Sequence, residues 1–117
     1  MTELTTQSCV ACSGDEPVAS PMEVETLRLQ GPEWVILNSD GVGKLERVFD
    51  FNDFTQALEF TNSVGNLAEQ ENHHPSILTE WGRVTVTWWT HKIGGLHHND
   101  FVAAAKTDQL CTQNRHI

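Results

Sequence analysis

The segment Glu69-Gln70-Glu71-Asn72-His73-His74-Pro75 brings two adjacent imidazoles and two carboxylates close together along the chain, and further histidines stand at His91, His97 and His98. Imidazole exchanges protons near neutrality without a large adjustment of its environment, so such a set is suited to acid–base chemistry. Metal binding fits less well. Side chains of adjacent residues point in different directions, unlike the i, i+4 pairs that grip one ion, and this applies to His73–His74 and to His97–His98 alike. Cys9-Val10-Ala11-Cys12 has a zinc-like spacing, but a closed site needs four ligands and the only other cysteine is Cys111. No metal is therefore expected, and Cys9 and Cys12 are read as free thiols. Glu69 lies four residues before His73, one helical turn away, where a carboxylate could fix an imidazole tautomer. Trp88 and Trp89 precede His91 at the end of a β-type run. They fall on opposite faces, so one of them can line a site, and Trp89 shares its face with His91.

These groups have to be positioned by a small fold. The chain has 117 residues, enough for one domain with its own core. Seven basic against 16 acidic side chains give a formal charge of −9, which disfavours a phosphate-backbone partner, and no apolar run approaches a membrane span. Residues 1–19 lack the basic and apolar regions of a signal peptide and read as a polar, flexible lead-in; with three cysteines and no export signal, a reduced cytoplasmic setting is expected. Residues 20–117 read as the single domain. Ser20-Pro21-Met22-Glu23 has the pattern of a helix start, and Gly31-Pro32 of its end. Residues 33–38 and 44–51 form a first hairpin pattern around a loop with two glycines.

A long helix follows, capped by Asn52 or Asp53, with Phe54, Ala57, Leu58, Val64 and Ala68 at core spacing. Phe60 and Leu67 lie off that stripe and either widen the core face or form a second contact surface. Gly65 within the helix suggests close packing there. Pro75 stops the helix, because the residue before proline is pushed out of helical conformation. A second hairpin (residues 76–91) places Val84, Val86 and Trp88 on one face, and a last helix over about 98–110 offers Phe101, Val102 and Ala105 for packing. The expected architecture is an α+β two-layer sandwich in α-β-β-α-β-β-α order. Its helices would pack on one face of a four-stranded antiparallel sheet.

The stretches FTQALEFTNSVGNLAEQENHHP (54–75) and EWGRVTVTWWTHKIGGLHHNDFVAAAKTDQL (80–110) closely resemble the signature of the pterin-4a-carbinolamine dehydratases, bacterial members in particular. The resemblance covers roughly residues 21–110, with Glu69, His73, His74, Pro75, Trp81, His91 and Asp100 matching the elements of the family motif. It implies a hydro-lyase that removes water from a 4a-hydroxy-tetrahydropterin, with no metal or redox cofactor, and so recycles the pterin of an aromatic amino acid hydroxylase. It also implies that His73 and His91 handle protons and that His74 binds and orients the substrate. Glu69 would support His73, Trp81 would frame the pocket, and Asp100 would hold a histidine or answer the helix dipole. A homodimer or homotetramer is implied, with Phe60 and Leu67 available as a contact stripe. Two departures stand out. Ile77 replaces an aromatic residue of some relatives, and His97 replaces the usual serine or threonine before the last helix, leaving Asn99 or Asp100 to cap it. The alternatives are a dehydratase-like domain acting as a non-catalytic binding or assembly partner, and a zinc-dependent hydrolase.

Overall fold

A computed structural model of the chain describes Met22 and residues 33–39, 41–90 and 95–114. The expected first helix lies outside the described residues except for Met22, as do residues 1–19 with Cys9 and Cys12, and His91. The described elements are β1 (Val35–Ser39), β2 (Val42–Asp50), α1 (Phe54–Glu71), β3 (Ser76–Glu80), β4 (Arg83–Trp88) and α2 (His98–Asn114). All strand pairs are antiparallel, in the order β1-β2-β4-β3.

The first reversal is tighter than the two-glycine loop suggested. Ser39 pairs with Val42, and Gly41 has φ +81°, a value that favours glycine over L-residues. The extra pairing lengthens β2 to nine residues. In the second hairpin Glu80 pairs with Arg83, so Trp81 and Gly82 make the turn. A Cβ on Gly82 would come within 3.0 Å of the Phe51 carbonyl oxygen, and Phe51 N–H donates to Gly82 O at 2.8 Å. That close approach ties the two hairpins together.

Alternation sorts the sheet into two faces. Leu45 and Phe49 of β2 lie opposite Trp88 and Val84 of β4, and with Val86 all are buried on the helix-covered face. The other face carries Val35, Val48 and Leu78, 58%, 46% and 57% exposed. In α1 the buried positions are Ala57, Phe60, Val64, Leu67 and Ala68. Phe60 and Leu67 therefore belong to the core and are not a second contact surface; Phe60 packs against Phe49 and Phe51 at 4.7 and 5.2 Å between ring centroids. Phe54 and Leu58, read as core from their spacing, are 45% and 43% exposed. The stripe is rotated because the aromatic cluster of β2 draws Phe60 inward, and Thr61 turns towards β3, with its hydroxyl 2.6 Å from that of Thr79. Gly65 is not a close-packing site either, since an added Cβ would meet nothing within 4 Å.

Asp53 caps α1, its carboxylate accepting from Gln56 N–H at 2.9 Å. Helix α2 packs Phe101 to Ala104, Thr107 and Cys111 inward. It is fastened to the sheet by Asp108, whose Oδ1 accepts from Trp34 Nε1 at 2.9 Å and Arg47 Nη1 at 2.7 Å. Burial raises the Asp108 carboxyl pKa above the ordinary value. The nearby Arg47 charge and the hydrogen bonds from Trp34 and Arg47 pull it down without cancelling the effect. A second ion pair, Lys106 Nζ to Glu71 Oε2 at 3.1 Å, joins the two helices.

Candidate active site

Helix α1 ends in a way that decides where the histidines go. Asn72 adopts the left-handed conformation (φ 53°, ψ 42°), and His73 N–H donates back to Ala68 O at 3.1 Å. This is the hydrogen-bonded reversal that satisfies carbonyls at a helix end, with asparagine in the role glycine most often takes. His73 therefore does not occupy the next position of the helix. A Glu69–His73 contact at i, i+4 would have needed that position, and it does not form. Glu69 instead meets His74, with Oε2 at 2.5 Å from Nε2, and both side chains are largely exposed. An exposed pair of this kind contributes little stability.

His73 turns inward and is held on two sides. Its Nε2 lies 2.6 Å from Asp100 Oδ1, and its ring stacks on the indole of Trp88 at 5.4 Å between centroids and 21° between planes. Asp100 is completely buried. Its second oxygen, Oδ2, accepts from the Thr90 hydroxyl at 2.9 Å and from His97 N–H at 2.8 Å. Buried carboxylates persist when donors surround them, and Asp100 has three. With both lone-pair regions of Oδ2 engaged by donors, Oδ1 acts as the acceptor for His73. In a neutral imidazole this arrangement places the proton on Nε2 and leaves Nδ1 as the acceptor nitrogen.

The start of α2 supplies Asp100, and its cap is unusual. His97, the residue before the helix, accepts from Asn99 N–H on Nδ1 at 3.1 Å, while Asp100 accepts from His97 N–H. This is the reciprocal arrangement of a capping box with imidazole in the place of a hydroxyl. His97 thus caps the helix itself, and its acceptor Nδ1 puts the ring proton on Nε2. Asp100 does more than answer the helix dipole, because the same carboxylate closes the cap and holds His73.

The other expected residues fall differently. Trp81 is 70% exposed in the β3–β4 turn. Strand β3 runs five residues away from Pro75, about 17 Å at strand rise, so within one chain Trp81 does not frame the histidines. The indole against His73 is that of Trp88, not Trp89, whose ring lies 4.1 Å from the Lys44 ammonium. Ile77 is half-buried against the core. Among the described residues no three His, Cys, Asp or Glu side chains are placed to hold a metal ion.

Three residues at the site were not read from the sequence. Thr90 holds Asp100. Trp88, placed in the core by alternation, is core and site wall at once. Thr107 accepts from Trp88 Nε1 at 3.1 Å and fixes the indole that carries His73. A threonine directly before His91 was the one available signal for Thr90; the others depend on long-range packing.

The family model described as pterin 4 alpha carbinolamine dehydratase matches residues 17–110. The chain belongs to this family. A provisionally named pterin-4-alpha-carbinolamine dehydratase of Marinobacter nauticus is 56% identical over 110 residues, spanning 94% of this chain and 99% of that one. Another, from Chlorobaculum tepidum, is 54% identical over 113 residues, 94% of this chain and 99% of that protein. Among solved structures, a transcriptional coactivator/pterin dehydratase from Brucella melitensis superposes with TM-score 0.71 at 28% identity, over 81% of this chain and 99% of that one. A pterin dehydratase-like protein identified as a RuBisCO assembly factor in the alpha-carboxysome shares the fold (TM-score 0.58, 21% identity, 68% of this chain and 89% of that one).

Proposed function

We propose that the protein is a 4a-hydroxytetrahydropterin dehydratase using acid–base catalysis, with His73, His74 and His91 as its working groups. The observation that carries this reading is the Asp100–His73–Trp88 arrangement: a buried carboxylate 2.6 Å from Nε2 and a flat aromatic support under the ring. Such an imidazole is oriented in advance and has Nδ1 as its basic nitrogen, which is the equipment of a general base.

The reaction needs little more. The C4a–O bond breaks as a general acid protonates the departing hydroxyl, which leaves as water. The N5 lone pair forms the C4a=N5 double bond, and the N5 proton passes to a base, giving quinonoid dihydropterin. His73 is suited to accept the N5 proton and His91, from the family pattern, to serve the leaving hydroxyl. His74, backed by Glu69, would orient the pterin. One positioned acid or base contributes about 10²–10⁴-fold, and a carbinolamine already tends to lose water, so two such groups suffice. Pterin recycling beside an aromatic amino acid hydroxylase, a cytoplasmic setting and a homodimer or homotetramer belong to the same proposal. Core burial of Phe60 and Leu67 removes one contact surface considered for that oligomer.

The test follows the absorbance of freshly generated 4a-hydroxy-tetrahydropterin with chelator-treated wild type, His73→Ala and His91→Ala. Fast turnover that survives chelation and falls in both variants is the expected result. A folded wild type no faster than buffer would overturn the enzymatic reading and leave a dehydratase-like binding or assembly partner.

A further inference from the structure

Thr90 sits where three segments of the chain meet. Its backbone N–H donates to Gly95 O at 2.9 Å and its carbonyl accepts from Gly95 N–H at 3.4 Å, which bridges the end of the second hairpin to the approach of α2. The Thr90 side chain is 3% exposed and donates to Asp100 Oδ2 at 2.9 Å. The other oxygen of the same carboxylate faces His73.

We infer that Thr90 is a positioning residue: acting through Asp100, its hydroxyl keeps the His73 ring proton on Nε2. The argument rests on donor and acceptor inventory. Two donors on Oδ2, the Thr90 hydroxyl and His97 N–H, fix the carboxylate plane and leave Oδ1 as the acceptor towards the imidazole. Without the hydroxyl, Oδ2 keeps the backbone donor alone. The carboxylate can then rotate about its last torsion, which is broad and weakly restrained in itself. Rotation lengthens the Oδ1–Nε2 contact, and the ring loses its preference for the Nε2–H form.

The kinetic arm of the test rests on the dehydratase reading, while its spectroscopic arm does not. Long-range ¹⁵N–¹H correlation spectra of the full, substrate-free chain report which His73 nitrogen carries the proton, in wild type, Thr90→Val and Thr90→Ser. Wild type and the serine variant should show the Nε2–H form. The valine variant, isosteric but without a donor, should show a mixture with Nδ1–H. With 4a-hydroxy-tetrahydropterin, kcat of Thr90→Val should fall on the order of 10- to 100-fold, as for a small misplacement of a reacting group. KM should change little, and serine should restore the rate. If valine prevents folding, Thr90→Ala, which leaves space instead of an apolar wall, takes its place in the same measurements. A folded valine or alanine variant that keeps the Nε2–H form overturns the proposal, as does a serine variant that fails as badly as valine. A wild type that shows the tautomer shift on substitution but dehydrates nothing would overturn the dehydratase reading alone.

Discussion

Replacing Asp100 with asparagine exchanges one carboxylate oxygen for an amide nitrogen and changes little else in shape. The wild-type carboxylate accepts from His73 Nε2, Thr90 Oγ1 and His97 N–H, and it is fully buried. An amide can satisfy Thr90 and His97 with its oxygen, but its NH₂ then faces His73. The imidazole must present a lone pair on Nε2 and move its proton to Nδ1, the nitrogen proposed to accept the substrate proton. Hydrogen bonds to a charged group contribute about 1.5–3 kcal/mol and neutral ones about 1, so three weakened bonds give a gross loss near 3–4 kcal/mol. Removing a buried charge returns part of its desolvation cost, which leaves a net loss of about 2–3 kcal/mol. At a urea m-value of about 1–3 kcal/mol/M, the unfolding midpoint should fall by about 0.7–3 M. The dehydration rate should fall further, by about 10²–10⁴-fold, because the base is in the wrong tautomer. Urea titration by tryptophan fluorescence and stopped-flow dehydration measure the two effects on the same sample. An asparagine variant with an unshifted midpoint and wild-type turnover would refute both the hydrogen-bond accounting and the assignment of His73.

Gly65→Ala should stabilise the protein by about 0.5–1 kcal/mol, because the helix gains propensity and the new methyl meets no atom within 4 Å; thermal unfolding checks it. Phe60→Ala should cost about 3–5 kcal/mol as a fully buried aromatic, whereas Phe54→Ala, at 45% exposure, should cost far less; equal effects in urea would refute the observed rotation of α1. Asp108 binds its proton more tightly in the folded chain than in the unfolded one. Its stabilising contribution is therefore present below the ordinary aspartate pKa of about 3.9 and lost as pH rises through the raised folded value. In a series of urea melts upward from pH 3, Asp108→Asn should lack this decline, and a variant with the wild-type slope would exclude burial of Asp108 as its source.

The sheet, its two hairpins and the helix after each were legible because alternation, the Asp53 cap and Pro75 are local signals that agree with one another. Helix α2 proved longer than its pattern suggested, reaching Asn114. The face of α1 was misread for a physical reason. Phe54, Ala57, Leu58, Val64 and Ala68 and the set with Phe60 and Leu67 are both helical stripes, and only the aromatic cluster of β2 chooses between them. At the site, the partner of His73 did not follow from spacing. Counting four residues back from His73 finds Glu69 only if the helix continues. The left-handed turn at Asn72 breaks that count and sends His73 to a carboxylate 27 residues away. Trp88 and Thr107 carry no spacing signature because their contact joins the sheet to α2.

The capping box of α2 has a consequence for the order in which the molecule becomes competent. The carboxylate that closes the helix start is the one that orients His73, so the site cannot be assembled while the first turn of α2 is frayed. Asp100 also lies in the last fifth of the 117-residue chain. The sheet and α1 are complete in the chain at Trp88, before this residue is made. Until α2 docks, His73 lacks the carboxylate that orients it. For the proposed dehydratase, recovery of turnover should therefore lag recovery of sheet signal in refolding.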